Sequence, residues 1–562
     1  MYYINSVKIL EIKNLGFRYR KSNLEALSEI NLEISGGEFV AIMGMSGAGK
    51  STLLMTFNGI IPHFIKGDFR GEVVSFGKNT LTHKSRDYFK EIGLVFQDFE
   101  SQIFSSAVEL EVAFGLENIN LEKLEMVRRV DETLDFIGLT HLKNRNPFFL
   151  SGGEKQRLAI AAVLAMKPKL LAFDEPTTDL DPEARGRIYS LYKELKSLKR
   201  SFITVEHDAD KVKNADRLVV LKGGRILKDG PPESILKEIK FLKENGIQPL
   251  EITELFSELG YKELPLNLSD AVSIVKRDRW KFDQESIREI VSKGRKSGGK
   301  TIFKLDGVNF SYGEKKVLEN INLEVKEGEF LSIVGPNGSG KTTLAKILAG
   351  IFKPQKGNLY INGIDVKKME PVSMSRLIGF GFQNPDHQIF KEKVEDEIDF
   401  TLSLLRKDIL NKSEMIDEAL NAVNLLEKRK EDPFSLTKGE RQRLAVASIL
   451  AAKKEIIILD EPITGLDWNE TREMMKLIKK LNEEGKTILI ITHSVDIAIR
   501  YSSRILILKD GKIIADGIPR ELIKDKNLWE DSHIPLSDFF HLNEYLGFNF
   551  LDVEEIKHSL IQ

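Results

Sequence analysis

The sequence predicts an α/β chain built twice over: two tandem domains of alternating strand and helix, each trailed by a small C-terminal appendage. Three observations predict this. A set of segments recurs in the same order at near-constant spacing. Short apolar runs ending in Gly or an acid alternate with helical stretches. The pattern G-x-x-x-x-G-K-[ST] occurs twice, each time between such a strand and such a helix.

The repeat comes first. GMSGAGKST (44–52) pairs with GPNGSGKTT (335–343), with lysines at 50 and 341, 291 residues apart. FQDFESQIF (96–104) pairs with FQNPDHQIF (382–390), FDEPTTDLD (173–181) with LDEPITGLD (459–467), and VEHD (205–208) with ITHS (491–494), all 286 apart. The five-residue change falls where IIPHFIKGDFRG is longer than IFKPQKG, in a loop, and loops absorb insertions where cores do not. GIQPLEITELFSELGY (246–261) aligns with SHIPLSDFFHLNEYLGF (532–548), Pro249 and Pro535 again 286 apart. The expected organisation is therefore domain 8–230 with appendage 231–275, a linker 276–300, then domain 302–517 with appendage 518–562. KRDRWKFDQESIREIVSKGRKSGGK (276–300) is charged and ends in Gly and Ser, and reads as an exposed, solvated tether.

Length and composition agree. The 562 residues are too many for one core, and 41% apolar with 30% charged is the balance of a soluble globular chain. The net charge of −2 carries no signal for nucleic acid or an anionic membrane, and no nucleic-acid partner is expected. Zero cysteines exclude disulfides, thiolate metal sites and iron–sulfur clusters. No apolar run approaches the roughly 18–20 residues that span a bilayer. MYYINSVKILEIKN lacks a basic-then-apolar leader pattern, so no secretory signal is expected. If the protein works at a membrane, other chains supply the spanning part.

Within each half, EFVAIM (38–43) and EFLSIV (329–334) are β-rich runs leading into Gly-rich turns. KLLAFD (169–174) and EIIILD (455–460) are near-continuous apolar runs ending in acid, as suits strands buried on both faces of a mostly parallel sheet. RLVVLKGGRILKDG (217–230) and RILILKDGKIIADG (504–517) each read as a hairpin with a Gly turn.

The turns carry the chemistry. In Gly44, Met45, Ser46, Gly47, Ala48, Gly49, Lys50, Ser51 and Thr52, glycines let the backbone wrap phosphates with its N–H groups pointing inward. Gly335, Pro336, Asn337, Gly338, Ser339, Gly340, Lys341, Thr342 and Thr343 repeat the arrangement. The helix that follows adds a partial positive charge. Lys50 and Lys341 would reach the β- and γ-phosphates of ATP, and Ser51 and Thr342 would ligate Mg2+. Asp174 and Asp460 end apolar strands where a carboxylate can hold Mg2+ through water, and Glu175 and Glu461 are assigned to the attacking water. His207 and His493 follow strands at the carboxyl edge, placed to hydrogen-bond the γ-phosphate. Gln97 and Gln383 also end strands and would approach Mg2+ and the water only when the site closes. Tyr19 and Tyr312 are candidates to stack on adenine, ordinary packing being the alternative.

With these residues in order, both halves resemble the nucleotide-binding domains of ABC transporters. The order is Tyr, phosphate loop, Gln loop, an LSGGE-type signature, strand-DE, a DLD or GLD loop, then His. The resemblance covers almost the whole chain. It implies two Mg-ATP held in an intramolecular head-to-tail pairing, each phosphate loop facing the other half's signature, with Asp181 and Asp467 crossing the interface. Ser151, Gly152 and Gly153 would complete the site of Lys341, Gln383, Glu461 and His493; Thr437, Lys438 and Gly439 would complete that of Lys50, Gln97, Glu175 and His207. PFFLSGGEKQRLA (147–159) keeps the signature, whereas PFSLTKGERQRLA (433–445) changes Ser to Thr and Gly to Lys, so its site is expected to turn over more slowly.

The stretches QIFSSAVELEVAFGLEN (102–118) and QIFKEKVEDEIDFTLSL (388–404), with the appendages, further resemble the ATPases of energy-coupling factor (ECF) transporters, importers of vitamins and metal ions. That resemblance implies a transmembrane coupling protein and a separate membrane substrate-binding protein as partners, and a peripheral place on the cytoplasmic face of the cell membrane. Phe104, Phe390, Val108 and Val394 would line the docking groove, core packing being the alternative. Two other readings stand: a fused ATPase of another ABC importer such as a sugar importer, and a soluble ribosome-associated tandem ATPase.

Overall fold

The computed structural model describes the chain apart from residues 1–6, 21, 178–179, 181, 293–298, 406–410, 533 and 562. It divides into two compact units, 1–250 and 251–562.

In the first unit six strands form one sheet, in the order Arg225–Gly230, Arg217–Lys222, Phe39–Met43, Ser201–Val205, Leu170–Asp174, Ile92–Val95. Every pairing is parallel except the outermost, where Arg217–Lys222 and Arg225–Gly230 make the expected hairpin. Phe39–Met43, Leu170–Asp174 and Ser201–Val205 are buried at every position, which is why they read as continuous apolar runs. A second, antiparallel sheet runs in the order Leu27–Ser35, Lys8–Tyr19, Gly67–Ser75, Lys78–Asn79. The helix Lys50–Phe57 shares one core with both sheets through Leu53, Leu54 and Phe57, packed with Phe17, Ile42 and Leu94. Burying these side chains contributes on the order of 1.5–3 kcal/mol each. The helix is thereby fixed with its amino end at the carboxyl edge of Phe39–Met43, where ligands bind in open parallel sheets.

The second unit repeats this. Its large sheet runs Ile378–Gly381, Ile456–Asp460, Thr487–Ile491, Phe330–Val334, Arg504–Lys509, Lys512–Gly517, and its antiparallel sheet Lys315–Lys326, Thr301–Tyr312, Lys356–Ile361, Ile364–Asp365. The expected hairpin over 504–517 is present. Among the described residues no helix is long and apolar enough to cross a membrane.

The appendages differ from expectation. Helices Glu251–Glu258 and Leu268–Asp278, which follow the first domain in sequence, belong to the second unit. They share a core with helices Asp538–Leu546 and Val553–Ser559, built on Phe256, Ile274, Trp529, Phe539, Phe540 and Ile556. The reading of 276–300 as a solvated tether fails over its first part. Leu268–Asp278 runs through position 276, Lys281–Phe282 pairs with Leu560–Ile561, and Gln284–Ser292 is a helix. Trp280 lies 5.2 Å from Phe256 and Phe282 lies 4.7 Å from Phe548, ring centre to ring centre. The charges face out while a few aromatic and aliphatic side chains carry the packing. Positions 293–298 of the expected linker lie outside the described residues.

Candidate functional site

Each unit builds one site at the carboxyl edge of its large sheet. In both, the central strand ends at a glycine, turns through the phosphate loop and enters a helix, Lys50–Phe57 or Lys341–Leu348. The last loop residue needs left-handed backbone: Gly49 has φ 98° and Gly340 φ 101°. A Cβ would strike the Ala26 carbonyl in the first case and stand 2.8 Å from the Val317 carbonyl in the second. No side chain caps either helix, which leaves first-turn N–H groups to an anion. Lys50 is buried and donates to the carbonyls of Gly44 and Met45, both at 2.9 Å; Lys341 donates to those of Gly335 and Pro336, both at 2.8 Å. Each ammonium thus closes the loop into a ring.

Asp174 and Asp460 end the adjacent strands, buried. Burial pushes both carboxyls up to about 6, against the opposing hydrogen bonds of Ser51 and Thr342. One oxygen of each, Oδ1, is buried without a hydrogen-bond partner. A buried carboxylate with one unsatisfied oxygen, beside a loop hydroxyl, is a donor set that a hard cation such as Mg2+ fits.

Glu175 and Glu461 follow directly, held with φ of 50° and 54°, sparsely populated for a residue with a side chain. Glu175 takes His207 Nε2 at 2.7 Å on Oε1 and Gln97 Nε2 at 2.8 Å on Oε2, with Lys50 at 3.8 Å. Glu461 takes His493 on Oε1 and the Thr464 hydroxyl at 2.9 Å on Oε2. Burial pushes the Glu461 carboxyl up, yet the His493 hydrogen bond and the charges of His493 and Lys341 outweigh it and hold it below the usual range. The two sites are not identical: Gln383 is exposed and makes no bond to Glu461, whereas Gln97 is already on Glu175. The expectation that the glutamines reach inward only on closure does not describe Gln97.

Tyr19 shares a hydrogen bond of 2.9 Å with Thr52, and Tyr312 approaches Thr343 at 3.5 Å, so each ring stands beside its phosphate-loop helix. Tyr19 also packs on the core, edge-on to Phe17 at 5.0 Å, while Tyr312 is exposed.

Ser151 caps the signature helix Gly152–Ala165 in a reciprocal box with Glu154, and Thr437 caps Lys438–Ala451 with Glu440 in the same way. A side chain at Gly152 would meet nothing within 4 Å, while one at Gly439 would stand 2.9 Å from the Glu470 carboxylate. Gly153 tolerates ordinary contact. Lys438 lays its side chain along Gly465, its Cδ 3.3 Å from where a Cβ there would stand. Asp467 is buried and caps helix Trp468–Glu483; Asp181 lies outside the described residues.

Beyond the glutamines the docking expectation divides. Phe104 and Phe390 are exposed, set edge-on to Phe114 at 4.6 Å and Phe400 at 4.9 Å. Val108 and Val394 are fully buried and belong to the core, because each opens a helix whose inward face packs on the signature helix. Sequence reasoning missed the residues that hold this loop. Glu111, buried, accepts the N–H groups of Phe104 at 3.0 Å and Ser105 at 2.8 Å; Glu397 accepts those of Phe390 at 2.9 Å and Lys391 at 3.0 Å. The repeated V-x-x-E spacing was the available signal.

The ABC transporter family profile matches residues 27–178 and 318–464. A protein of Caldanaerobacter subterraneus described as an ABC transporter ATP-binding protein is 43% identical over 560 residues, 98% of each chain. The chain belongs to the ABC transporter ATP-binding family. A Methanosarcina acetivorans protein of the same description is 38% identical, over 91% of this chain and 86% of its own. A solved Clostridium perfringens protein, described as part of an ABC transporter complex, is 30% identical over 43% of this chain and 99% of its own, with a TM-score of 0.39. This chain is accordingly an ATP-binding ATPase with two ABC domains in tandem.

Proposed function

We propose that the chain is the energy-coupling subunit of an ECF-type importer for a vitamin or metal ion, peripheral on the cytoplasmic face of the cell membrane. It would work with a transmembrane coupling protein and a separate membrane substrate-binding protein. The observation that carries this is the loop after each Gln loop. It presents an exposed phenylalanine, it is pinned by a buried glutamate, and it stands one short turn from a glutamine of the nucleotide site. An apolar side chain held in place at the surface, in both halves, suits docking by a partner. The resemblance of these QIF segments to the ECF ATPases supports the subtype.

Within each site the proposed roles follow the geometry. Lys50 and Lys341 hold the β/γ-phosphates. Asp174 with Ser51, and Asp460 with Thr342, would hold Mg2+, which neutralises phosphate charge when bound. Glu175 and Glu461 orient and polarise the attacking water, His207 and His493 bridge that carboxylate to the γ-phosphate, and Gln97 and Gln383 report its occupancy to the docking loop. Tyr19 and Tyr312 stack on adenine. The second wall of each ATP would come from the opposite half's signature, Ser151–Gly153 or Thr437–Gly439.

Purification from membranes tests the assignment. A stable complex with a polytopic membrane protein, lost in Phe104→Asp/Phe390→Asp, supports it. Ribosome association with no membrane partner contradicts it, and a complex with a sugar permease would replace the ECF subtype with another importer.

A further inference from the structure

Among the described residues, the two sites differ beneath the position two residues past the catalytic glutamate, Thr177 in one and Ile463 in the other. In the first unit a buried polar cluster sits there. Glu206, buried at the end of strand Ser201–Val205, accepts the Thr177 hydroxyl at 3.0 Å on one oxygen. Its other oxygen lies 3.1 Å from the Tyr192 hydroxyl and 3.4 Å from that of Thr204, and Tyr192 and Thr204 share a bond of 2.7 Å. The positions 286 residues on are Ile463, Ile478, Ile490 and Thr492, which pack in or beside an apolar core. One chain thus carries the same backbone arrangement with a buried carboxylate network and without it. A buried carboxylate costs several kcal/mol in desolvation that an apolar set does not, so packing alone does not explain Glu206.

We propose that Glu206 is a positioning residue for ATP hydrolysis in the first half: through Thr177 it fixes the loop that holds Glu175 against His207. Its neighbours in sequence and space make this direct. Thr177 is two residues past Glu175, whose backbone is held in the left-handed region. His207, next after Glu206, meets the Glu175 carboxylate at 2.7 Å. The successive residues Glu206 and His207 thus hold the Thr177 hydroxyl and the Glu175 carboxylate respectively. In the second half Glu461 also accepts the Thr464 hydroxyl.

The cluster also makes the first half sensitive to pH near neutrality. Burial pushes the Glu206 carboxyl up to about 7, with Asp208 and Glu175 adding repulsion and the Thr177 and Tyr192 hydroxyls opposing it. Lys211, whose ammonium lies 4.6 Å from the Tyr189 ring centre, faces Glu206 from the next helix, and Arg185 lies beside Tyr189 on the helix Pro182–Ser197. The ionised carboxylate accepts from Thr177 on one oxygen and, on the other, from the Tyr192–Thr204 pair, one of whose two protons makes the bond between them; protonation weakens that grip. Turnover in the first half is therefore expected to rise with pH through neutrality.

The inference rests on the assignment of Glu175 to the attacking water, and the test separates the two. In the full-length Glu461→Gln/Thr437→Ser/Lys438→Gly chain, where the restored signature lets first-half turnover be read, ATPase rate should rise about threefold or more between about pH 6 and 8. Glu206→Gln should flatten that rise, and so should the fourfold variant Thr177→Ile/Tyr192→Ile/Thr204→Ile/Glu206→Thr, which copies the second half's packing. In the Glu175→Gln chain the same changes should leave the second half's pH profile as it was. An undiminished rise in both the Gln and the fourfold variants, or equal flattening in the Glu175→Gln chain, overturns the inference. Full turnover in Glu175→Gln/Glu461→Gln would instead overturn the glutamate assignment itself.

Discussion

Glu111→Ala is expected to release the loop carrying Phe104 while leaving the phosphate loop intact. The wild-type carboxylate is buried and accepts two backbone N–H groups, at 3.0 and 2.8 Å. A hydrogen bond to a charged acceptor is worth about 1.5–3 kcal/mol net. Because Phe104 is exposed, water recovers part of the loss, which leaves about 2–4 kcal/mol for the pair. At 1.4 kcal/mol per decade, loop opening becomes roughly 30- to 700-fold more frequent. Hydrogen exchange at the Phe104 and Ser105 amides reads this directly. Glu111→Gln, which keeps an uncharged acceptor, should lose roughly tenfold, and Glu397→Ala should expose Phe390 and Lys391 in the same way. Unchanged protection of these amides in Glu111→Ala, with the fold intact, would refute the pinning argument.

Other outcomes follow from the same geometry. Lys50→Ala and Lys341→Ala should each lower bound nucleotide from two per chain to one by equilibrium dialysis, since no neighbouring cation can replace a buried ammonium. Asp174 and Asp460 carry carboxyls raised to about 6 by burial. The folded chain therefore binds more protons than the unfolded one between about pH 4 and 6, and these groups weaken the nucleotide-free fold as pH rises through that window, by about 3 kcal/mol each at most. Asp174→Asn should accordingly raise the denaturant midpoint of the nucleotide-free chain at pH 7.5 while weakening Mg-dependent ATP binding. Val108→Asp and Val394→Asp should unfold their helical lobes, seen as lost cooperativity in thermal melts, because both positions are fully buried. Phe104→Asp should melt like the wild type.

Much of the fold was legible because it is written locally. A phosphate loop is a turn whose glycines are required at set places, and Gly49 and Gly340 occupy the left-handed position that only such spacing provides. The buried parallel strands read as apolar runs, and the hairpins at 217–230 and 504–517 as strands around Gly. What was not legible depends on contacts distant in sequence. The stretch 276–292 looks like a tether because its charges outnumber its apolar residues; Trp280 and Phe282 pack only because partners arrive from 256 and 548. Val108 and Phe104 are four residues apart and equally apolar, yet helix Val108–Asn118 turns one inward while the loop leaves the other exposed. Glu206 could not be told from any acid beside a histidine until Thr177, Tyr192 and Thr204 were brought to it. The course of the Lys438 side chain along Gly465 depends likewise on a residue 27 positions away.

The central claim is that two hydrolytic sites act in one chain, one completed by an intact signature and one by an altered one. Steady-state ATPase of the assembled complex, compared between Glu461→Gln and Glu175→Gln, tests it most directly. The account predicts that Glu461→Gln nearly abolishes turnover, that Glu175→Gln leaves a substantial remainder, and that Thr437→Ser/Lys438→Gly narrows the gap. Equal losses in the two glutamate variants, unmoved by the restored signature, would contradict it.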